Sequence, residues 1–337
     1  MKKNYPLHQL FWEFTLRCNM NCLHCGSDCL KDESTREMPL KDFLPVLDEI
    51  KMRQPERKTF VFTLGGEPLV RKDVLKCGYE ISRRGFLWGM VSNGMLIDKP
   101  MMEGLSKCGL ASLAIDIDGV PEDHNWLRNS EISFDRVYNA IEYIREAPHL
   151  VWDVITCINK RNLPRLNELK RMLIAAGVRN WRCFTIVPMG RAYGNEELLL
   201  TDDELKELME FIVMTREENK IHLSYSCEGF LGDYEMRVRD YKYSCRAGIN
   251  VASVLSNGDI SGCLSIRSCY AQGNIYRDSF WDVWTNRFEK YRDRRWMKRD
   301  ECGDCKVFDK CQGNAMHLRR DDGSLMLCNY RKLFPGN

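Results

Sequence analysis

Short apolar runs alternate with stretches of helical spacing along the first two thirds of the chain. The pattern predicts strands over 8–16, 58–64, 86–92, 110–117, 151–158 and 181–187. The first of these is nearly continuous in apolar residues, as suits a strand buried on both faces of a parallel sheet. Between the runs, helical spacing predicts helices over 39–53, 71–84, 98–108, 134–146 and 164–176. In the first helix Leu40, Phe43, Leu44, Leu47 and Ile50 share one face. Pro45 falls early enough to be tolerated in a first turn or to kink the helix locally. Six strands alternating with helices imply an α/β fold, a partial (β/α)6 TIM-like barrel open on one side, so that a large substrate can enter laterally. A further helix over 201–219 starts with a capping box, Thr201-Asp202-Asp203-Glu204, and a strand-like stretch follows at 221–226. Composition then changes. We expect a barrel domain over 1–226 and a small cysteine-rich domain over 227–337.

The 337 residues include 50 basic and 48 acidic side chains, a formal net charge of +2. That balance gives no basis for nucleic-acid or membrane-surface binding. The basic run at 292–299 reads as a solvated helix face. The N-terminal apolar stretch is short and contains Glu13 and Arg17, so it is neither a signal peptide core nor a membrane span. The chain is therefore expected in the cytoplasm. Sixteen cysteines in such a chain point to metal or redox chemistry rather than disulfides.

Cys18, Cys22 and Cys25 stand on one loop after the first strand, with three and then two residues between them. Three thiolates can hold three corners of a cubane iron–sulfur cluster. Electron-transfer clusters take four cysteines, so a loop that stops at three leaves one iron for another ligand. A zinc knuckle or a group of core cysteines is the alternative, but zinc loops usually pair C-x-x-C with a distant second pair. Cys29, just beyond, reads as a spare buried thiol.

This loop resembles the signature of the radical S-adenosylmethionine (radical SAM) enzymes. The resemblance implies a [4Fe–4S] cluster on Cys18, Cys22 and Cys25 that binds S-adenosylmethionine through its open iron, with His24 near the adenine. Gly65-Gly66-Glu67-Pro68 resembles the family's G-G-E-P motif, which holds the amino group of S-adenosylmethionine. Two glycines there let the backbone approach a ligand. Ser92 and Asn93, before Gly94, resemble a family segment that contacts ribose or methionine, although Asn-Gly alone is a turn signal. The stretch from Asp116 through Asp118-Gly119-Val120-Pro121, His124, Arg128 and Ser133-Phe134-Asp135 is similar to one common in the subfamily that modifies peptides and proteins. Asp116 stands where Ser is usual, and Asn125 where Asp is usual. A carboxylate can still bind ribose hydroxyls. Arg128 or Arg136 could pair with the methionine carboxylate; either also reads as a surface residue. Pro188-Met189-Gly190-Arg191 resembles the turn whose backbone meets the adenine.

Seven cysteines lie after Asp240. Asn257-Gly258 signals a hairpin, and Cys263 follows Gly258 after four residues. Cys302-x-x-Cys305 is followed by five residues and Cys311. This resembles the SPASM extension of radical SAM maturases, which carries auxiliary [4Fe–4S] clusters. It implies that Cys302, Cys305, Cys311 and Cys328 ligate one such cluster; four cysteines with a C-x-x-C pair also suit structural zinc. Cys245 and Cys263 would serve a second cluster. The full motif has a further cysteine where this chain has Ala315, so Cys227, Cys269 or His317 would complete the set, or an iron would stay open; the alternative is that this cluster is absent and Cys245 pairs differently.

The resemblance implies an anaerobic enzyme whose 5′-deoxyadenosyl radical abstracts hydrogen from a ribosomal peptide, giving a crosslink or an oxidised side chain. The alternatives are a sulfatase-maturase-like enzyme, a small-molecule radical SAM enzyme acting for example on a tetrapyrrole, and, in another class, a non-catalytic iron–sulfur electron carrier. Expected partners are the peptide or small molecule and a low-potential donor such as flavodoxin or ferredoxin. So little chain precedes the first strand that no fused leader-binding domain is expected; if a leader is recognised, a separate protein or the open side of the barrel would do that work. No catalytic acid or base stands out, since the six histidines show no pairing that marks one.

Overall fold

The computed structural model describes residues 5–29, 37–226, 228–266 and 268–336. Six strands run in parallel, each beside the next: β1 (Gln9–Thr15), β2 (Phe60–Gly65), β3 (Leu87–Ser92), β4 (Leu110–Asp116), β5 (Val151–Ile158) and β6 (Asn180–Thr185). The connections carry α1 (Leu40–Arg53), α2 (Val74–Arg83), α3 (Lys99–Lys107), α4 (Pro121–Arg128), α5 (Ser133–Arg145) and α6 (Leu166–Ala175). The expected partial barrel is present. A short helix, α4, forms where sequence periodicity marked none.

The sheet also grows at both edges. After α7 (Asp202–Glu218), β7 (His222–Tyr225) adds to β6 in parallel. On the other side β8 (Val251–Val254) pairs in parallel with β1, and β9 (Asp259–Ser261) and β10 (Gly273–Asn274) follow antiparallel. The order is β10-β9-β8-β1-β2-β3-β4-β5-β6-β7, with no pairing of the two ends among the described residues, so the barrel stays open. The Asn257-Gly258 hairpin forms as expected, with Gly258 at φ +90°. β8 brings the C-terminal chain directly against the strand that leads into the first cysteine loop.

Side-chain alternation sorts the two faces. Leu10, Trp12 and Phe14 of β1 point into the helical layer, where Trp12 stacks on Phe43 of α1 at 4.0 Å between centroids. Such a pair adds about 0.5–1.5 kcal/mol beyond its buried area. α1 buries Leu40, Phe43, Val46, Leu47 and Ile50, close to the face expected. α2 lies near enough to β3 that a Cβ at Gly78 would come within 2.3 Å of the Trp88 ring. The apolar core is continuous from Leu10 and Trp181 in the barrel to Ala252 and Trp284 beyond it. No helix among the described residues is long and apolar enough to cross a membrane.

The basic run at 292–299 is only in part the solvated helix face expected: Arg295, Lys298 and Arg299 are exposed, but the run is not one helix and two of its arginines turn inward. It is split between a short helix (Glu289–Arg292) and a 3-10 turn (Arg295–Met297). Arg292 stacks over Tyr5, and Arg294 is buried on backbone carbonyls. Carbonyl acceptors and aromatic faces let these arginines turn inward.

One buried carboxylate joins the barrel edge to the C-terminus. Glu228 Oε2 accepts from the backbone N–H and hydroxyl of Thr185 and, at 3.0 Å, from Tyr225. Asn329 Nδ2 donates to the Glu228 carbonyl at 2.7 Å. Burial lifts this carboxyl from 4.5 to about 7. The folded chain thus holds the proton more tightly than the unfolded one. The associated stability is complete below pH 4.5 and is lost as pH rises through about 7. Glu228→Gln removes that dependence. Thermal denaturation should show wild type falling relative to the variant across this window; a constant difference would contradict the burial account.

Candidate functional site

The cysteine loop is held at the C-terminal ends of the strands, where barrel folds build their sites. Gly65 and Gly66 brace its entrance. Gly66 N–H donates to the Thr15 carbonyl at 2.7 Å and Glu67 N–H to that of Arg17 at 2.9 Å. A Cβ would come within 2.5 Å of Thr15 O at Gly65, whose φ is +130°, and within 2.0 Å of Arg17 O at Gly66. These positions require glycine because two backbones meet there. On the far side Leu23 N–H donates to Leu127 O of α4 at 2.9 Å. Arg191 grips the loop most extensively. Its backbone N–H reaches Cys25 O at 3.0 Å, its Nε reaches Cys22 O at 2.8 Å, and its Nη1 reaches Asp28 and the Cys29 carbonyl. Gly190 lies so near that a Cβ would stand 2.4 Å from Cys25 O. The sequence suggests an adenine contact for Pro188–Arg191; what the structure shows is its arginine clamping the cysteine loop.

Cys18, Cys22 and Cys25 line one cavity of about 650 Å³, inside the range of small-molecule sites. Burial pushes the Cys18 thiol up to about 12, with Glu67, Cys22 and Cys25 adding repulsion, and it pushes Cys22 up as well. Cys25 goes down to about 5, because the Cys29 thiol and N–H hydrogen-bond to its sulfur. Thiols crowded together out of water fit a bound cationic centre, which removes their protons and offsets their repulsion. Cys29 is buried beside them rather than apart from them.

The remaining sequence candidates divide. Gly65, Gly66, Glu67, Asn93, Asp116, Arg128 and His24 line the cavity, whereas Ser92 does not. Ser92 is turned inward, donating to Glu67 Oε1 at 2.8 Å and accepting from Gly94 N–H at 3.0 Å. Its hydroxyl is used in shaping the turn. Glu67 also accepts from Leu69 N–H at 3.0 Å and Asn93 N–H at 2.7 Å. Three of its roughly four acceptor positions are therefore filled, leaving one for a ligand. Asn93 Nδ2 donates to Asn19 within the cysteine loop at 2.8 Å. Arg136 is exposed on α5, so of the two arginines only Arg128 reaches the cavity.

Arg128 is buried between two carboxylates. Its Nε meets Asp118 at 2.5 Å, its Nη2 meets Asp116 at 3.2 Å, and its Nη1 lies 3.8 Å from Cys22 Sγ. Burial raises the Asp116 carboxyl to about 6. Asp118 is fully buried and also accepts from Cys157 N–H at 2.8 Å. Among the described residues the buried His24 Nδ1 has no hydrogen-bond partner, and burial lowers the pKa of the ring to about 4, so it is neutral. His24, Asp118 and Cys157 bring donor atoms within 4.8 Å of one another, but Arg128 already balances Asp118. Asn125 caps α5: its Oδ1 accepts from Ser133 Oγ and Phe134 N–H, both at 2.8 Å. Its amide is thus occupied by local structure.

The opposite wall of the cavity comes from the C-terminal chain: Ile266, Tyr270, Met316, His317, Arg320 and Met326. Behind it Cys302, Cys305, Cys311 and Cys328 surround a single small hollow. Burial, then repulsion from the other three, pushes Cys311 up to about 12. This set fits a cluster held by four thiolates. Cys245 and Cys263 are electrostatic neighbours elsewhere. Cys245 packs against the small apolar cluster of Phe230, Tyr243, Leu318 and buried Ala315, the position lacking the expected cysteine. Cys269 is exposed and bonded to Asp321, and Cys227 lies outside the described residues. His317 is adjacent to Met316, whose backbone meets the Cys245 thiol. Sequence reasoning missed Arg191 as a clamp, along with Arg294 and Arg319, which sit against cysteines; long separations hid all three.

Comparison with known proteins agrees with this arrangement. A family model described as the radical SAM superfamily matches residues 12–173, and one described as the SPASM iron–sulfur cluster-binding domain matches 245–306. The chain is 28% identical to an AdoMet-dependent heme synthase of Methanosarcina barkeri, covering 90% of this chain and 89% of that one. It is 25% identical to the mycofactocin maturase MftC of Mycolicibacterium smegmatis, covering 91% and 77%. Among solved structures, Streptococcus suis SuiB bound to S-adenosylmethionine matches with a TM-score of 0.72 at 20% identity, covering 92% of this chain and 72% of that one. The protein anSMEcpe, with AdoMet and a peptide bound, matches at 0.72 and 19% identity, covering 98% and 94%. These two likenesses establish the fold. The two domains imply an enzyme with a [4Fe–4S] cluster that binds S-adenosylmethionine, together with auxiliary iron–sulfur clusters. By both domain matches, this chain belongs to the radical SAM superfamily and carries a C-terminal SPASM domain.

Proposed function

We propose that this radical SAM enzyme abstracts hydrogen from a ribosomally made peptide and converts it to a crosslinked or side-chain-oxidised product. In this reading Cys18, Cys22 and Cys25 hold the S-adenosylmethionine-binding cluster. When bound, that cluster supplies the electron that cleaves the sulfonium and yields the 5′-deoxyadenosyl radical. Gly65 and Gly66 present backbone groups to the methionine end, and Glu67 offers its remaining acceptor position to the ammonium. Asn93 and Asp116 contact the ribose or methionine. Arg128 sets the charge of that corner, and neutral His24 packs near the adenine. Ser92 acts through Glu67. Cys302, Cys305, Cys311 and Cys328 hold an auxiliary cluster; Cys245 and Cys263 anchor a second, whose set is not completed by a cysteine at position 315. The domains divide near 226, the enzyme works in an anaerobic cytoplasm, and a flavodoxin or ferredoxin supplies electrons.

The observation that carries the peptide reading is the charge of the cavity wall opposite the loop. Among its described residues Arg319 has its donors on backbone carbonyls and Cys302, which leaves Arg320, beside Asp321, as the guanidinium facing solvent. With Tyr270, Met316 and Met326 the described residues of this wall form a mixed polar and apolar surface that suits a peptide segment. A tetrapyrrole bearing several carboxylates would call for several cations. It is nevertheless the second reading, because the heme synthase relatives match this chain over 89% or so of their own length.

Two experiments test the proposal. Glu67→Ala should weaken S-adenosylmethionine in calorimetry roughly tenfold or more, as expected when a charged hydrogen bond worth about 1.5–3 kcal/mol is lost, with iron content intact. Unchanged affinity would sink the assignment of Glu67. Separately, the anaerobically reconstituted enzyme would be given S-adenosylmethionine, a reductant and short peptides encoded beside its gene, with iron coproporphyrin in parallel. A peptide mass loss of about 2 Da, one H₂, with 5′-deoxyadenosine formed is the expected result. A changed porphyrin and unchanged peptides would establish the second reading instead.

A further inference from the structure

Among the described residues five arginines are buried: Arg71, Arg128, Arg239, Arg294 and Arg319. A buried guanidinium needs a counter-charge. Arg71, Arg128 and Arg239 each have a carboxylate within 4.0 Å, on Asp73, Asp118 and Glu235. Arg294 and Arg319 have none among the described residues. Both lie instead against C-terminal cysteines.

Arg319 is 5% exposed. Its Nε and Nη2 donate to Gly313 O at 3.0 and 2.8 Å, and its Nη1 to Gly323 O at 2.6 Å. Its Nη2 also points at Cys302 Sγ, 3.3 Å away. The same residue lines the main cavity, while Cys302 faces the hollow of the four thiols. Three carbonyl bonds fix the plane of the guanidinium but do not balance its charge. The remaining bond runs to sulfur. Arg294 has a similar setting: it is buried and bonded to the carbonyls of Tyr291, Asn314 and, at 3.2 Å, Cys245.

We propose that Arg319 is the counter-cation of the cluster on Cys302, Cys305, Cys311 and Cys328, a positioning residue that raises its reduction potential from the side facing the substrate. Reduction adds negative charge to the cluster. A fixed cation bonded to one of its sulfurs stabilises the reduced form more than the oxidised form. A cluster so tuned is a better acceptor of electrons arriving from the cavity side. The proposal rests on the four-cysteine ligation given above.

The test is an EPR-monitored redox titration of the reconstituted holoenzyme, comparing wild type with Arg319→Met and Arg319→Lys. In Arg319→Met the auxiliary midpoint should fall by at least tenfold in the reduction equilibrium, 59 mV for one electron. In Arg319→Lys it should fall less, and the cluster on Cys18, Cys22 and Cys25 should not move in either. Loss of the auxiliary cluster in Arg319→Met with retention in Arg319→Lys would also support a charge role. An unmoved midpoint with iron retained, an equal shift of both clusters, or loss of the cluster in both variants would overturn it, leaving Arg319 a brace for its turn. Wild type without any auxiliary cluster would instead defeat the ligation reading.

Discussion

Three thiols on a short loop can share one metal centre only if the loop backbone is held from outside. Backbone hydrogen bonds supply that constraint from three directions. The Gly65-Gly66-Glu67 turn takes the carbonyls of Thr15 and Arg17, α4 takes the Leu23 N–H, and Arg191 takes the carbonyls of Cys22, Cys25 and Cys29. Each anchor belongs to the segment that ends or follows a strand: β2, β4 or β6. The twist and register of the parallel sheet therefore fix the loop, and the order β1 to β6 brings the anchors around it. Glycines at 65, 66 and 190 are what allow backbones to come that close.

The charges at the site follow from the same crowding. Arg128, Asp116 and Asp118 are all held together beside Cys22. A buried ion triad of this kind contributes little net stability, since desolvation offsets much of the attraction. It does fix a cation near the thiolates and leave a carboxylate at the cavity surface. The C-terminal chain repeats the principle with Arg319 and Arg294, whose positive charges have sulfur rather than carboxylate beside them. The substrate cavity thus lies between two regions in which buried cations stand next to cysteines.

Much of this was legible in the sequence, for physical reasons. Parallel strands buried on both faces leave apolar runs, and β1 to β6 fall where those runs predict. The cysteine spacings and the Gly-Gly-Glu-Pro turn are local, so their residues meet without any knowledge of the fold. What stayed hidden depends on distant pairing. Arg191 reaches a carbonyl 169 residues away. β8 is four residues long and reads as one arm of a hairpin, so nothing local announces its pairing with β1. Ser92 looked like a ligand contact, yet its hydroxyl is consumed by Glu67 and Gly94. Arg294 looked solvated because a charged run gives no sign of the carbonyls that turn it inward.

The chemistry rests on a three-cysteine loop that leaves an iron for S-adenosylmethionine. This is tested most directly by EPR of the anaerobically reduced enzyme with and without S-adenosylmethionine. S-adenosylmethionine should change the signal of one cluster. A variant with Cys18, Cys22 and Cys25 replaced by alanine should lose that signal and keep the auxiliary one. A spectrum indifferent to S-adenosylmethionine, from an enzyme with its full complement of iron, would contradict the account: every iron would then be closed to substrate, as in an electron-transfer cluster.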